Sequence, residues 1–451
     1  MVPKFKGIFT SQKSFSAKAM FFLIGLHIIF IVVFDKVTAF APDEENYIRI
    51  FNNLYKSSFS LQGYLGWQEG SVNTLRLIYL PAKALETIGF SDFYSVRLLS
   101  TFYSIATMFL LANLASDLKI FGQSVKVWIV LAFFTPSILL WSSLGLRESF
   151  VFFSIASIFY MLKKIEDHCY KKQITLLITI GVFFLISKIY LYGLFLVSLV
   201  ISGLVLLLWK RRLELKYLKI LTATLIPLLL FPMITTNIVT GAKSTLQIKL
   251  IDSKPSPIPI PSPIPIPSPL PTYLTDGQTL KDLSLQLDNN PTLSWISSHF
   301  GIDNFFVSRV HNSSSRDGHE NELNDLQKRQ PREVSLRDPV FLLRSTFKFL
   351  FIPAPFLDNG SFFLNAQSYE SFVWYFYYIL LGALLVGIVK GRFLLNLQTL
   401  TIIFFTLGFV LISSLIEVNT GTAVRHRSVL LMCILVMLSS FRIKERPLDS
   451  S

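Results

Sequence analysis

The sequence predicts an all-α, polytopic integral membrane protein with about ten transmembrane helices and outer-face interfacial helices. Three observations carry that expectation. Hydrophobic residues make up 52% of the 451-residue chain and charged residues only 16%, against about a quarter in soluble proteins. Several apolar runs approach the roughly 20 residues needed to cross a bilayer core of about 30 Å. Lysine and arginine also punctuate those runs instead of forming one patch. The net charge of +14 is therefore a topology signal and excludes a nucleic-acid partner.

Taken in order, Lys4, Lys6, Lys13 and Lys18 form a basic tail (residues 1–18) ahead of the first span, near 19–39. No small-residue cleavage site follows that run and more spans come after, so it is read as a retained helix and not a signal peptide. Further spans are expected near 96–116, 126–144, 148–163, 174–188, 191–209 and 218–238, closing an N-terminal bundle over 19–238. The C-terminal helices, within 371–441, comprise spans near 371–389, 398–417 and 424–441. Lys163, Lys164, Lys171 and Lys172 flank one short loop, and Lys210, Arg211, Arg212, Lys216 and Lys219 another. Arg442, Lys444 and Arg446 lie in the tail 442–451. Basic residues collect in cytoplasmic loops, so both termini are expected inside, with the chain in the inner (cytoplasmic) membrane.

That topology puts two long loops outside, about 40–95 and 239–370. Each contains an apolar stretch broken by charge and proline: 73–89 by Arg76, Pro81 and Lys83, and 339–356 by Arg344, Lys348 and Pro353. Such stretches suit interfacial or re-entrant helices better than spans. The second loop also places proline at every odd position from Pro255 to Pro271. Proline fixes φ and pushes its predecessor out of the helical region, so these 17 residues form a polyproline II rod roughly 50 Å long. A stiff spacer accounts for it better than a ligand for a proline-binding module. The polar segment 300–338 resembles neither a packed element nor a catalytic one. Cys169, in a basic loop, and Cys433, in an apolar run, make no structural disulfide. No metal-ligand spacing occurs, so no cofactor is assigned; a divalent cation is left open.

The candidate chemistry lies on the outer side. "APDEEN" places Asp43, Glu44 and Glu45 just past the first span. Carboxylates there can simply solvate a helix end, or can take a proton from a reacting hydroxyl. Cations form three groups. Arg147 adjoins Glu148 and can pair with it; Lys188, in "FFLISKIYLYG", can snorkel at an interface. Arg425, His426 and Arg427 crowd the outer entrance of the last span, where positive residues are disfavoured by topology. Arginine's planar fork suits phosphate oxygens, and the bland alternative is a lipid-headgroup anchor. Arg344 and Lys348, with the "FIPAPF" turn, form a further basic element before a span.

The order of these features carries a resemblance. An acidic residue follows the first span, and a broken apolar helix comes next. Then Gly89, Ser91 and Arg97-Leu98-Leu99-Ser100 open the second span. This arrangement resembles the GT-C superfamily of membrane glycosyltransferases, which includes protein mannosyltransferases and lipid A aminoarabinose transferases. The similarity runs over roughly residues 19–165. It implies a polyprenyl-phosphate-linked sugar as donor, a sugar or lipid acceptor, membrane lipid as surroundings, and a catalytic acid at Asp43 or Glu44. Many members carry a second acidic residue after a "P-S-x-x-x-x-S" run. Here that run is Pro136 to Ser142, and Glu148 stands where Asp is usual. The Leu-Arg-Glu-Ser stretch also resembles exopolysaccharide and O-antigen polymerase-like membrane proteins, which use lipid-diphosphate oligosaccharides. A transporter or flippase is the third class, favoured by charges inside spans or by paired broken helices.

Overall fold

A computed structural model describes residues 12–33, 48, 81–115, 118–167, 171–210, 216–228, 339–356, 362–416 and 420–442. Asp43, Glu44, the proline rod, segment 300–338 and Cys169 lie outside the described residues. What is described is all-helical apart from one short hairpin.

Helix α1 (Gln12–Val33) is apolar only from Lys18 onward. Helix α2 (81–87) begins on Pro81 and stops at Gly89, whose φ of 106° needs a residue without a Cβ. The Gly89 amide donates to Glu86 O at 2.9 Å, closing the last turn. Ser91 then caps α3 (Asp92–Leu114), its Oγ accepting from the Tyr94 amide. Beyond α3, Phe121 and Gly122, both at positive φ, turn a two-stranded hairpin of β1 (Lys119–Ile120) and β2 (Gln123–Ser124).

The run expected as one span at 126–144 is broken. Helices α4 (Val125–Ala132) and α5 (Pro136–Ser143) meet at 57°. Pro136 lacks an amide hydrogen and forces Thr135 into extended geometry, so α4 cannot run through. A tight turn then reverses the chain into α6 (Glu148–Asp167), and α7 (Lys171–Ser187) returns. Only Lys188 separates α7 from α8 (Ile189–Lys210). Helices α9 (216–228), α10 (Pro339–Phe351), α11 (Phe362–Val389), α12 (Leu397–Ile416) and α13 (Thr420–Ser440) complete the described elements.

Among the described residues five helices are long and apolar enough to cross a membrane, within α3, α8, α11, α12 and α13; the bent pair α4–α5 raises this to six. The described residues do not confirm the ten spans expected, for physical reasons. The apolar part of α1 spans only Lys18–Val33. Helix α6 carries Glu148, Lys163, Lys164, Glu166 and Asp167 at its ends. Helix α7 has 17 residues, and α9 is described over 216–228 only. The expected interfacial stretch at 339–356 is the helix α10, and α2 forms within the one at 73–89.

Helix α13 is the hub. It packs against α3, α4, α5, α6, α10, α11 and α12, and 89% of its apolar window is buried by protein. An apolar helix gains little by exchanging lipid for protein, so close packing and interhelical hydrogen bonds must hold the bundle. Gly408 on α12 lets Leu194 of α8 approach so closely that a Cβ would lie 2.4 Å from its Cδ1. At the basic end, Gln398 Nε2 donates to Phe159 O and to Ser440 Oγ, both at 3.0 Å, joining α12, α6 and α13. There too Arg442 pairs with Asp167 at 2.8 Å. At the opposite end, Arg97 donates to Ile31 O at 3.0 Å and Ser100 Oγ meets Ser149 Oγ at 2.9 Å. Thus α1, α3 and α6 are stitched together by the motif residues themselves.

Candidate functional site

The turn between α5 and α6 builds the site. The Leu144 amide still bonds Leu140 O, ending α5, and the Leu146 amide bonds Leu144 O at 2.7 Å. The chain thereby reverses, and Glu148 falls in the first turn of α6, where the helix dipole favours a carboxylate. Glu148 is 1% exposed. Its Oε1 accepts from Arg425 Nε of α13 at 2.8 Å, and the charges of Lys188 and Arg147 also act on it. Arg425 is therefore the ion-pair partner of Glu148, and not the neighbouring Arg147. Trp141 of α5 lies near Arg425, with its ring centroid 5.9 Å from Cζ.

Lys188 occupies the one-residue break between α7 and α8. Its carbonyl accepts from the Leu191 and Tyr192 amides at 3.0 and 3.1 Å, starting α8, and its Nζ donates to the Tyr190 hydroxyl at 3.1 Å. At 5% exposure it is buried in the bundle and does not snorkel. Among the described residues, three cations thus act on one carboxylate. Three buried polar atoms here have no hydrogen-bond partner: Trp141 Nε1, Arg147 Nε and Glu148 Oε2. Each such orphan costs about 1–3 kcal/mol unless a partner satisfies it.

Arg427 is placed elsewhere. Two residues beyond Arg425, it faces the other way, is 1% exposed, and its Nη1 reaches Leu350 O of α10 at 3.5 Å. Tyr378 and Tyr375 of α11 donate to Leu350 O and Phe351 O at 3.2 and 3.1 Å, and Ser371 Oγ donates to Pro353 O at 2.8 Å. These groups satisfy carbonyls that the end of α10 leaves without helical partners. Arg427 is part of that clamp and does not join Arg425. Half-buried His426 lies between the two on α13, and Arg344 is exposed on α10.

Sequence reasoning missed Trp141 and Glu370. Glu370 of α11 accepts from the Ser137 amide at 2.9 Å, from Ser137 Oγ, and from Trp374 Nε1 at 3.2 Å. It caps α5 from a distant part of the chain, a role no local spacing could reveal. Glu86 on α2 is held below the usual carboxylate range by a hydrogen bond shared with Asp92 and by Lys83, 2.7 Å away. Among the described residues no group of three or more His, Cys, Asp or Glu could hold a metal ion. The structure therefore brings Glu148, Arg147, Lys188 and Arg425 together and leaves Arg427 and Arg344 apart, while Asp43 and Glu44 lie outside the described residues. Comparison with known proteins gives no match to a family model, a curated protein or a solved structure.

Proposed function

We propose that this protein is a membrane glycosyltransferase that moves a sugar from a polyprenyl-phosphate-linked donor to an acceptor hydroxyl. The reaction takes place at the outer face of the cytoplasmic membrane, with both termini cytoplasmic, in surface polysaccharide or glycolipid synthesis. One observation carries the reading: the buried carboxylate of Glu148 pairs with Arg425 and lies within the field of Lys188 and Arg147, beside buried polar atoms that make no hydrogen bond. Intramembrane charge of this kind marks a site and not a fold requirement.

In the transfer, the acceptor oxygen attacks the anomeric carbon as the bond to the lipid phosphate breaks. The phosphate leaves with one further negative charge. Arg425, Arg147 and Lys188 stabilise that charge in a water-poor setting, where fixed cations act most strongly. Glu148 holds the Arg425 guanidinium, so it is a positioning residue. The proton passes to Asp43 or Glu44, the carboxylates that the resemblance singles out. Because Arg425 and Arg427 face different neighbours, they do not form one diphosphate clamp. That favours a monophosphate donor over the diphosphate of a polymerase. Buried Arg427 and Glu370 within helices are the observation on the side of a lipid-linked sugar transporter. Their hydrogen bonds to α10 and α5 give them structural work instead.

Asp43→Asn and Glu44→Gln keep side-chain shape while removing the base. At matched protein level in the membrane, glycolipid output should fall about 100- to 10,000-fold in the variant that removes the true base. Near-normal output from both single variants and from the double variant would sink this assignment.

A further inference from the structure

The β1–β2 hairpin breaks a local rule that nothing inside the protein offsets. Both turn residues have positive φ, 50° at Phe121 and 76° at Gly122. Such a two-residue hairpin turn favours Asn-Gly, because a bulky side chain in the left-handed region crowds its own backbone. Phenylalanine would suit the position if its ring were buried, yet Phe121 is 64% exposed. Its ring centroid lies 6.5 Å from that of Phe376 on α11. Phe372 and Ile379, one turn to either side of Phe376, are exposed on the same stripe. Only 28% of the apolar window of α11 is buried by protein, the smallest share among the five candidate spans. Phe121 therefore extends a surface that α11 turns to the bilayer.

The backbone around the turn suits a medium that forms no hydrogen bonds. Lys119 pairs with Ser124 and Ile120 with Gln123 in the antiparallel ladder. Trp128 Nε1 donates to Ile120 O at 3.2 Å, and the Val125 amide donates to Leu118 O at 3.0 Å. The Tyr377 hydroxyl donates to Trp128 O at 2.7 Å, and the Trp128 ring lies 5.0 Å from Phe376, which fixes the start of α4 to α11. Unsatisfied backbone groups are what keep loops out of lipid, and these bonds remove much of that obstacle. Lys163 of α6 donates to Leu114 O just ahead of the hairpin, and the charges of Lys126 and Arg442 act on it, which puts the hairpin at the basic end of the bundle. Lys119 is exposed beside the turn, on a stem long enough to reach a phosphate from apolar surroundings.

We infer that the hairpin is a membrane finger: the Phe121 ring lies among phospholipid acyl chains at the basic end of the bundle, against Phe376, while Lys119 meets the lipid phosphates. The connection between the spans expected at 96–116 and 126–144 is then not a loop in water. It fastens the start of the bent pair α4–α5 to the bilayer, and burial of the ring in lipid offsets the strain of the turn. The inference does not depend on which reaction the protein performs.

The test uses the full-length chain in phospholipid nanodiscs. Phe121→Cys, made with Cys169→Ser so that buried Cys433 is the other thiol, is labelled with a nitroxide. Oxygen concentrates in acyl chains and a nickel chelate stays in water, so the ratio of their collision rates with the label reports its surroundings. Ile379→Cys on α11 and Lys172→Cys on α7, both exposed positions, serve as the lipid and water references. The Phe121 label should match Ile379→Cys and exceed Lys172→Cys by about tenfold or more, as expected for a site that exchanges water for hydrocarbon. Adding Lys119→Glu should move the ratio toward the water reference, because a carboxylate is repelled by phosphate. A ratio like that of Lys172→Cys would place the hairpin in water and overturn the inference. Protection from both reagents would also overturn it, since protein, from this chain or a second copy, would then cover the ring. If the cysteine variant fails to fold, Phe121→Trp decides. Its emission above that of the six native tryptophans should be quenched by lipids brominated in their acyl chains. Unquenched added emission would contradict the finger.

Discussion

Arg425 and Arg427 are two residues apart, hence about 200° apart around an ideal helix, and this separates their roles. Arg425 meets a carboxylate and Arg427 meets the carbonyl end of α10. Lysine keeps the charge at either position but not the planar fork. Arg425→Lys should therefore lower turnover about 10- to 100-fold, the loss of a hydrogen bond between charged groups, with little change in thermal unfolding. Arg427→Lys should do the reverse, lowering the unfolding temperature while activity per folded molecule holds. Turnover and thermal unfolding measured on the same detergent-solubilised samples check both. A drop in turnover for Arg427→Lys at unchanged stability would return it to the substrate site. The sequence made these two arginines look equivalent because adjacency along the chain hides direction around a helix. It did mark Glu148, Arg147 and Lys188 as candidates. That Glu148 would choose Arg425 across 277 positions, over its own neighbour, depended on packing.

The elements were legible where their causes are local. Gly89 and Ser91, which in sequence form part of a motif, act as the stop of α2 and the cap of α3. Pro136 breaks what composition alone presents as one continuous span, and its effect on Thr135 is the sequence signal for the bend. Contacts between elements were not legible, because any apolar helix can face any other. The α8–α12 contact depends on the missing Cβ at Gly408. Gly408→Ala should force Leu194 from its rotamer and cost about 1–3 kcal/mol, typical of overpacking. Adding Leu194→Ala should recover part of that loss, since it removes the clashing methyl. Thermal unfolding of the two single variants and the double variant tests the contact. Strictly additive losses would show that the two residues do not meet.

At the scale of the molecule, acid–base pairing closes one end and the charged cluster around Glu148 occupies the other. At the basic end Arg442 binds Asp167, and Glu166 Oε1 accepts from the Gln398 amide at 3.1 Å. At the opposite end Glu148 gathers Arg425, Arg147 and Lys188, and Glu148 Oε2 and Arg147 Nε make no hydrogen bond. The hub α13 ties the two ends together, since Arg425 and Ser440 lie on the same helix. The all-helical, membrane-embedded character followed from composition, whereas the number of spans did not. Apolar runs with charged or short ends look alike in sequence whether they cross a bilayer or pack inside a bundle.

The most direct measurement is the fate of the lipid donor. Purified protein in proteoliposomes would receive a labelled hexosyl polyprenyl phosphate, together with an acceptor glycolipid. The expected result is acceptor-dependent release of polyprenyl phosphate with one sugar transferred per phosphate freed. Movement of the intact donor across the bilayer without cleavage, or turnover of lipid-diphosphate oligosaccharides alone, would contradict the account.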